Sequence, residues 1–216
     1  MHSQSLKIFT VSALLLALLG CADNYRVVQS KSRRANEANA KQPTYSGIQI
    51  AIQPFDDFPV ERAEAVLNGL KSVYGNTVLL FPTALPRKAY YPARNRYRAD
   101  TIIDWLSELA NGNQVIVGLT TKDISASKGE YADWGIMGLG QCPGNSCVVS
   151  SFRLKNLCDS QLFKVVIHEL GHTQGLEHCP VESCFMRDAE GRNTTDEEFD
   201  FCPACKKRLR SKGWKL

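Results

Sequence analysis

Hydrophobic and polar positions change period several times along this chain, and each change marks an element. Ile48-Gln49-Ile50-Ala51-Ile52 alternates in the manner of a strand. From Pro59, which can open a helix, to about Tyr74 the period lengthens, and Val60, Ala63, Val66, Leu67 and Leu70 share one helical face. Gly75-Asn76 ends that helix, and the β-branched, apolar run from Thr77 to Phe81 predicts a second strand. Asp100 to Ala110 reads as a second helix closed by Asn111-Gly112, with an interior strand following at Val115-Ile116-Val117-Gly118-Leu119. Trp134 to Leu139 and Ser146 to Ser151 predict two more strands. A third helix is expected from about Asp159, a suitable N-cap, to Gln174, and a last one from Glu197 to about Arg210. Strands alternating with helices predict an α+β domain, a mixed sheet packed with helices.

The N-terminus is patterned differently. Met1 to Lys7 is short, polar and weakly basic, and Ile8 to Leu19 is an apolar run broken only by Thr10 and Ser12, too short to span a bilayer comfortably. This is the shape of a secretory signal peptide. Leu18-Leu19-Gly20-Cys21 resembles the lipobox of bacterial lipoproteins, which implies that Cys21 is lipidated and becomes the mature N-terminus. An ordinary signal peptide and an uncleaved anchor are the alternatives. From Ala22 to Ser46 the chain is rich in Asn, Ala, Ser, Lys and Arg, with too few apolar side chains to offset the entropy of ordering. The expected organisation is therefore a signal peptide over 1–20, a flexible tether over 21–46 and one domain over 47–216, exported and lipid-anchored to a cell membrane, the outer one where the organism has two. A net charge of +4 is too mild to argue for a nucleic-acid partner.

Candidate chemistry concentrates late in the chain. His168-Glu169-Leu170-Gly171-His172-Thr173-Gln174-Gly175-Leu176-Glu177-His178 holds three of the four histidines. Residues four apart share a helical face, so His168 and His172 present both imidazoles to one side, as a zinc site needs. Glu169 stands beside the first ligand, positioned to take a proton from an activated water. A continuing helix would carry His178 away, but Gly175 tolerates the positive φ that reverses a chain. Three protein ligands and one open position are the arrangement of a catalytic zinc.

Cys179 and Cys184 follow, then Met186, then Cys202-Pro203-Ala204-Cys205. H-E-x-x-H-x-x-G-x-x-H-C-x4-C-x-M with a later C-x-x-C resembles the archaemetzincins, a branch of the metzincin zinc peptidases, although the stretch from Met186 to Cys202 is slightly shorter than is usual there. The resemblance continues upstream in the basic, Tyr-containing run Arg87 to Arg98 and in Val148 to Leu154. It implies a zincin-like fold with a small C-terminal subdomain that carries a Met-turn and a Cys cluster. His168, His172 and His178 are then the catalytic zinc ligands, Glu169 the general base, Met186 the Met-turn methionine, and Cys179, Cys184, Cys202 and Cys205 the ligands of a second, structural zinc. It also implies a substrate-binding edge strand within Gly138 to Val149.

Four thiolates suit a closed tetrahedral zinc site. In an oxidising compartment the same cysteines could instead form two disulfides. Cys142 and Cys147 close a tight turn and could also pair, which leaves Cys158 as a free thiol. The expected activity is peptide hydrolysis with two zinc ions per chain and a peptide or protein substrate. The alternatives are a membrane-tethered zinc- or peptide-binding module without turnover, and a zinc amidase acting on cell-wall amides. Tyr90, Tyr91, Tyr131 or an arginine could supply a second electrophile, and the sequence does not choose among them.

Overall fold

The structure is a computed structural model that describes residues 47–154 and 159–216. The expected signal peptide, the lipidation site Cys21, the tether and Cys158 lie outside the described residues. The element order is β1 (Gln49–Pro54), α1 (Val60–Val73), β2 (Thr77–Leu79), β3 (Tyr90–Tyr91), β4 (Arg96–Arg98), α2 (Ala99–Leu109), β5 (Gln114–Thr120), β6 (Ile124–Lys128), β7 (Tyr131–Ile136), β8 (Gly138–Gly140), β9 (Ser146–Ser150), α3 (Asp159–Thr173) and α4 (Pro203–Arg210). Among the described residues no helix is long and apolar enough to cross a membrane.

The main sheet has the order β2-β1-β5-β9-β8, with β8 antiparallel at the edge and the other pairings parallel. Helices cover both of its faces, so its central strands carry apolar side chains on both sides. On one face Ile50, Ile52, Val117 and Val149 meet Leu70 of α1 and Leu162, Val166 and Leu170 of α3. On the other, Ala51, Ile116 and Val148 meet Ile102 and Leu106 of α2. Alternate residues of each strand thus feed two cores, and α3 is fixed along the sheet with its histidine-bearing end beside the edge strand.

The sequence pattern and the structure differ at four places. A second sheet, β3-β4-β6-β7, was not expected. Its strands include Arg96-Tyr97-Arg98 and Ile124-Ser125-Ala126-Ser127-Lys128, short and mostly polar runs in which Ile124 and Tyr97 pack against the α2 core while Arg96 of β4 reaches Asp133 of β7 at 3.2 Å. The single strand expected over Trp134 to Leu139 divides at Met137 into β7 and β8, which belong to different sheets. Asp159 is the first helical residue of α3 and binds Arg62 Nε at 2.8 Å. The last helix begins at Pro203, not near Glu197. Cys202, extended at ψ 162° as a residue before proline prefers, is its N-cap. The chain ahead of it instead bonds across to the 183–185 segment, Phe199 N donating to Ser183 O and Phe185 N to Asp200 O, both at 3.0 Å.

Candidate metal centres

α3 brings His168, Glu169 and His172 to the end of the main sheet, and the turn after it returns His178. Gly175 has φ +81°. Gly175 N donates to His172 O at 2.7 Å and Leu176 N to Gly171 O at 3.0 Å, a hydrogen-bonded helix stop that only a left-handed residue permits without strain. The three imidazoles converge, with ligand atoms all within 4.8 Å of one another. His168 Nε2 and His172 Nε2 are 3.1 Å apart. Two nitrogens about 2.05 Å from a common tetrahedral ion would stand roughly 3.3 Å apart, so the spacing fits zinc.

The far nitrogens explain the orientation. His168 Nδ1–H donates to Phe185 O at 2.5 Å and His172 Nδ1–H to Leu176 O at 2.8 Å, which turns both Nε2 lone pairs towards the shared position. His178 Nδ1 lies 3.5 Å from Asp188 Oδ2. Burial, with a smaller push from His172, lowers the His168 pKa to about 3, so its imidazole is neutral and ready to ligate. Burial lowers that of His172 as well.

Glu169 is 6% exposed, and burial raises its pKa to about 8 against the opposing hydrogen bond from Gly140 N–H. The edge strand β8 crosses directly over it. A Cβ on Gly138 would overlap the Glu169 carboxylate, so glycine is what lets strand and carboxylate approach. Met186 is fully buried beneath the same helix, and a Cβ on Gly171 would overlap its sulfur.

Cys179, Cys184, Cys202 and Cys205 form the second cluster, their sulfurs all within 4.8 Å of one another. The six cysteines among the described residues are free thiols, so neither disulfide scheme for these four is present. The expected Cys142–Cys147 pairing is absent too: Cys147 points into the core from β9, and Cys142 donates to Leu176 O at 3.3 Å. Cys179 Sγ and Cys202 Sγ are 3.7 Å apart. That is far beyond a disulfide bond of about 2.05 Å and close to the roughly 3.8 Å edge of a zinc–thiolate tetrahedron. Burial raises the Cys184 thiol pKa, and the backbone N–H groups of Cys202 and Met186, which point at its Sγ at 3.2 and 3.5 Å, pull the other way.

The two clusters share one clasp. Cys179 N donates to Met186 O at 2.7 Å, so the loop that places two of the cysteines also sets Phe185 O against His168 and Met186 against Gly171. An open cleft of about 400 Å³ adjoins the histidines and is lined in part by Glu169, Gly138, Arg153 and Asp188. Of the electrophile candidates, the arginines Arg153, Arg187 and Arg192 line it, whereas Tyr90, Tyr91 and Tyr131 do not. Asp188 and the Phe185 carbonyl carry no signal in the sequence, and Gly138 enters there only as the start of an edge strand. Glycines at alternate positions of a short strand, Gly138 and Gly140, were the available signal for a close approach.

Residues 55–211 match the family model described as peptidase family M54. The chain is 30% identical over 177 residues to an archaemetzincin of Halobacterium salinarum, an alignment covering 75% of this chain and 99% of that protein. The crystal structure of archaemetzincin from Methanopyrus kandleri superposes with a TM-score of 0.68 at 27% identity, covering 79% of this chain and 97% of that one. That of archaemetzincin from Archaeoglobus fulgidus, complexed with malonate, gives 0.64 at 26% identity, with 74% and 99% covered.

Proposed function

Because the chain belongs to peptidase family M54, the archaemetzincins, and is a zinc metallopeptidase, we propose that His168, His172 and His178 hold its catalytic zinc and that Glu169 is the general base of peptide-bond hydrolysis. The observation that carries the proposal is the convergence of three imidazoles beside one buried carboxylate, with an open cleft on their free side. Zinc in this position would supply Lewis acidity, lowering the pKa of the attacking water towards roughly 7 and polarising the scissile carbonyl.

The chain's own groups do the rest. Glu169 accepts the water proton and returns it to the leaving amine. Gly140 N–H keeps its carboxylate turned towards the site. Arg153, whose Nε and Nη2 bind Asp123 at 2.8 and 3.0 Å, is held at the cleft wall as a fixed positive charge for the carbonyl oxygen. Gly138–Gly140 is the edge of the main sheet, and an extended peptide pairing with it would lie across the histidines.

We propose further that Cys179, Cys184, Cys202 and Cys205 hold a second, structural zinc, and that Met186 packs the floor of the catalytic one. For location, the apolar Ile8–Leu19 run ahead of Gly20-Cys21 supports export and lipid anchoring at Cys21. Cys21→Ser would then shift the protein from the membrane to the soluble fraction, and an unchanged distribution would contradict the anchor. The peptidase proposal is tested by incubating the zinc-loaded chain with a mixed peptide library and with cell-wall fragments, with and without chelator. Chelator-sensitive cleavage of peptides supports it. Cleavage of cell-wall amides alone would favour the amidase reading, and binding without turnover the non-catalytic module.

A further inference from the structure

Beyond the histidines the cleft continues between α3 and the segment from Arg187 to Glu198, where Val165, Lys164, Thr194, Thr195 and Glu198 help to line it. Glu198 is only 4% exposed, although it faces this cleft. Thr194 Oγ1 donates to its Oε1 at 2.6 Å, and among the described residues no hydrogen bond reaches its Oε2. Oε2 keeps contact with the cleft, so it is the oxygen of this otherwise buried carboxylate that an incoming donor can reach.

Three of the cations that line the cleft already have partners. Lys164 Nζ donates to Thr195 O at 2.7 Å and lies 5.7 Å from the Phe199 ring centre. Arg187 Nη1 binds Glu197 at 2.6 Å, and Arg153 is paired to Asp123. Burial raises the Glu198 carboxyl above the ordinary glutamate value, with Thr194 and the charges of Lys164 and Arg187 pulling the other way. A donor arriving from the cleft would complete the set at Oε2.

Resting on the peptidase reading, we infer that Glu198 is a specificity-determining residue, whose open carboxylate oxygen receives the cationic side chain of a Lys or Arg adjoining the scissile bond. The neutral isostere of such a side chain would leave the buried carboxylate unmet, and sites built around a polar partner discriminate strongly against analogues that lack it. Glu198 therefore sorts substrates, while the histidines and Glu169 carry the reaction.

The test uses the zinc-loaded full chain and peptides that differ only at the two residues flanking the cleaved bond, with Lys, Arg or norleucine there. At one of the two positions kcat/KM for Lys or Arg should exceed that for norleucine by about tenfold or more. Glu198→Gln, which keeps an acceptor for Thr194, should bring that ratio to within about twofold. A wild-type ratio near one at both positions, or a preference that survives Glu198→Gln, overturns the assignment. Should the variant fail to fold, the wild-type ratio decides. Should the wild type cleave no peptide, the peptidase reading is what has failed. Calorimetry with acetyl-lysine amide and acetyl-norleucine amide then reads Glu198 directly, tighter binding of the lysine compound supporting the assignment and equal binding overturning it.

Discussion

The histidine and cysteine clusters stand on adjacent chain segments, yet they are closed in opposite ways. The histidines come from one helix and the turn after it, number three, and leave the His178 side chain 47% exposed at a cleft. The cysteines number four, come from two loops and the start of α4, and include the buried Cys184 and Cys205. Three ligands with an open side suit chemistry, whereas four without one suit a brace. The comparison also has a direction. The cysteine clasp carries Phe185 O, which orients His168, and Met186, which packs at Gly171. The rigid cluster builds the open one.

The largest expected effect is chemical. Glu169→Gln should reduce peptide hydrolysis by about 10²–10⁴-fold while zinc content stays at the wild-type level. Turnover near wild type in a zinc-content-matched assay would remove Glu169 from the mechanism. Next comes the asymmetry between the clusters. Cys184→Ala should lose the cysteine-bound zinc, lower the melting temperature markedly and weaken zinc at the histidines as well, because Phe185 and Met186 lose their anchor. His172→Ala should lose only the histidine-bound zinc and melt close to wild type. Equal melting losses in the two variants, read by calorimetry with zinc analysis, would break the claimed direction.

Gly138→Ala should be intermediate. Its Cβ meets the Glu169 carboxylate, so kcat should fall while both metals remain. A normal kcat would mean that strand β8 can yield without disturbing the base. The smallest effect is expected at Asp188, 3.5 Å from His178 Nδ1: Asp188→Asn should weaken zinc at the histidines by about tenfold, measured by competition with a chelator of known affinity.

The features visible in the sequence were those set by local spacing. The i, i+4 histidines, the glycine stop and the close pairs of cysteines each act within a few residues, and so do the apolar periods of β1, α1, α2, β5 and α3. What escaped depends on contacts between distant segments. The second sheet joins short, mostly polar strands through charge pairs such as Arg96 with Asp133 and through single apolar residues such as Ile124, so no long apolar period marks it. The start of α4 at Pro203 reflects competition, since residues 197–202 look helical in isolation but pair with residues 183–185 in the fold. The Phe185 carbonyl cannot be read from residue type at all, because any residue there would supply the same oxygen.

The central claim, an open catalytic metal braced by a closed structural one, is tested most directly by following zinc release, peptidase activity and circular dichroism together during chelator titration of the purified, reduced protein. The account predicts two zinc ions per chain. The first should leave early, taking activity with it and sparing the fold, and the second should leave only as the C-terminal region unfolds. A single zinc with the four cysteines oxidised, or two that depart together with the fold, would contradict it.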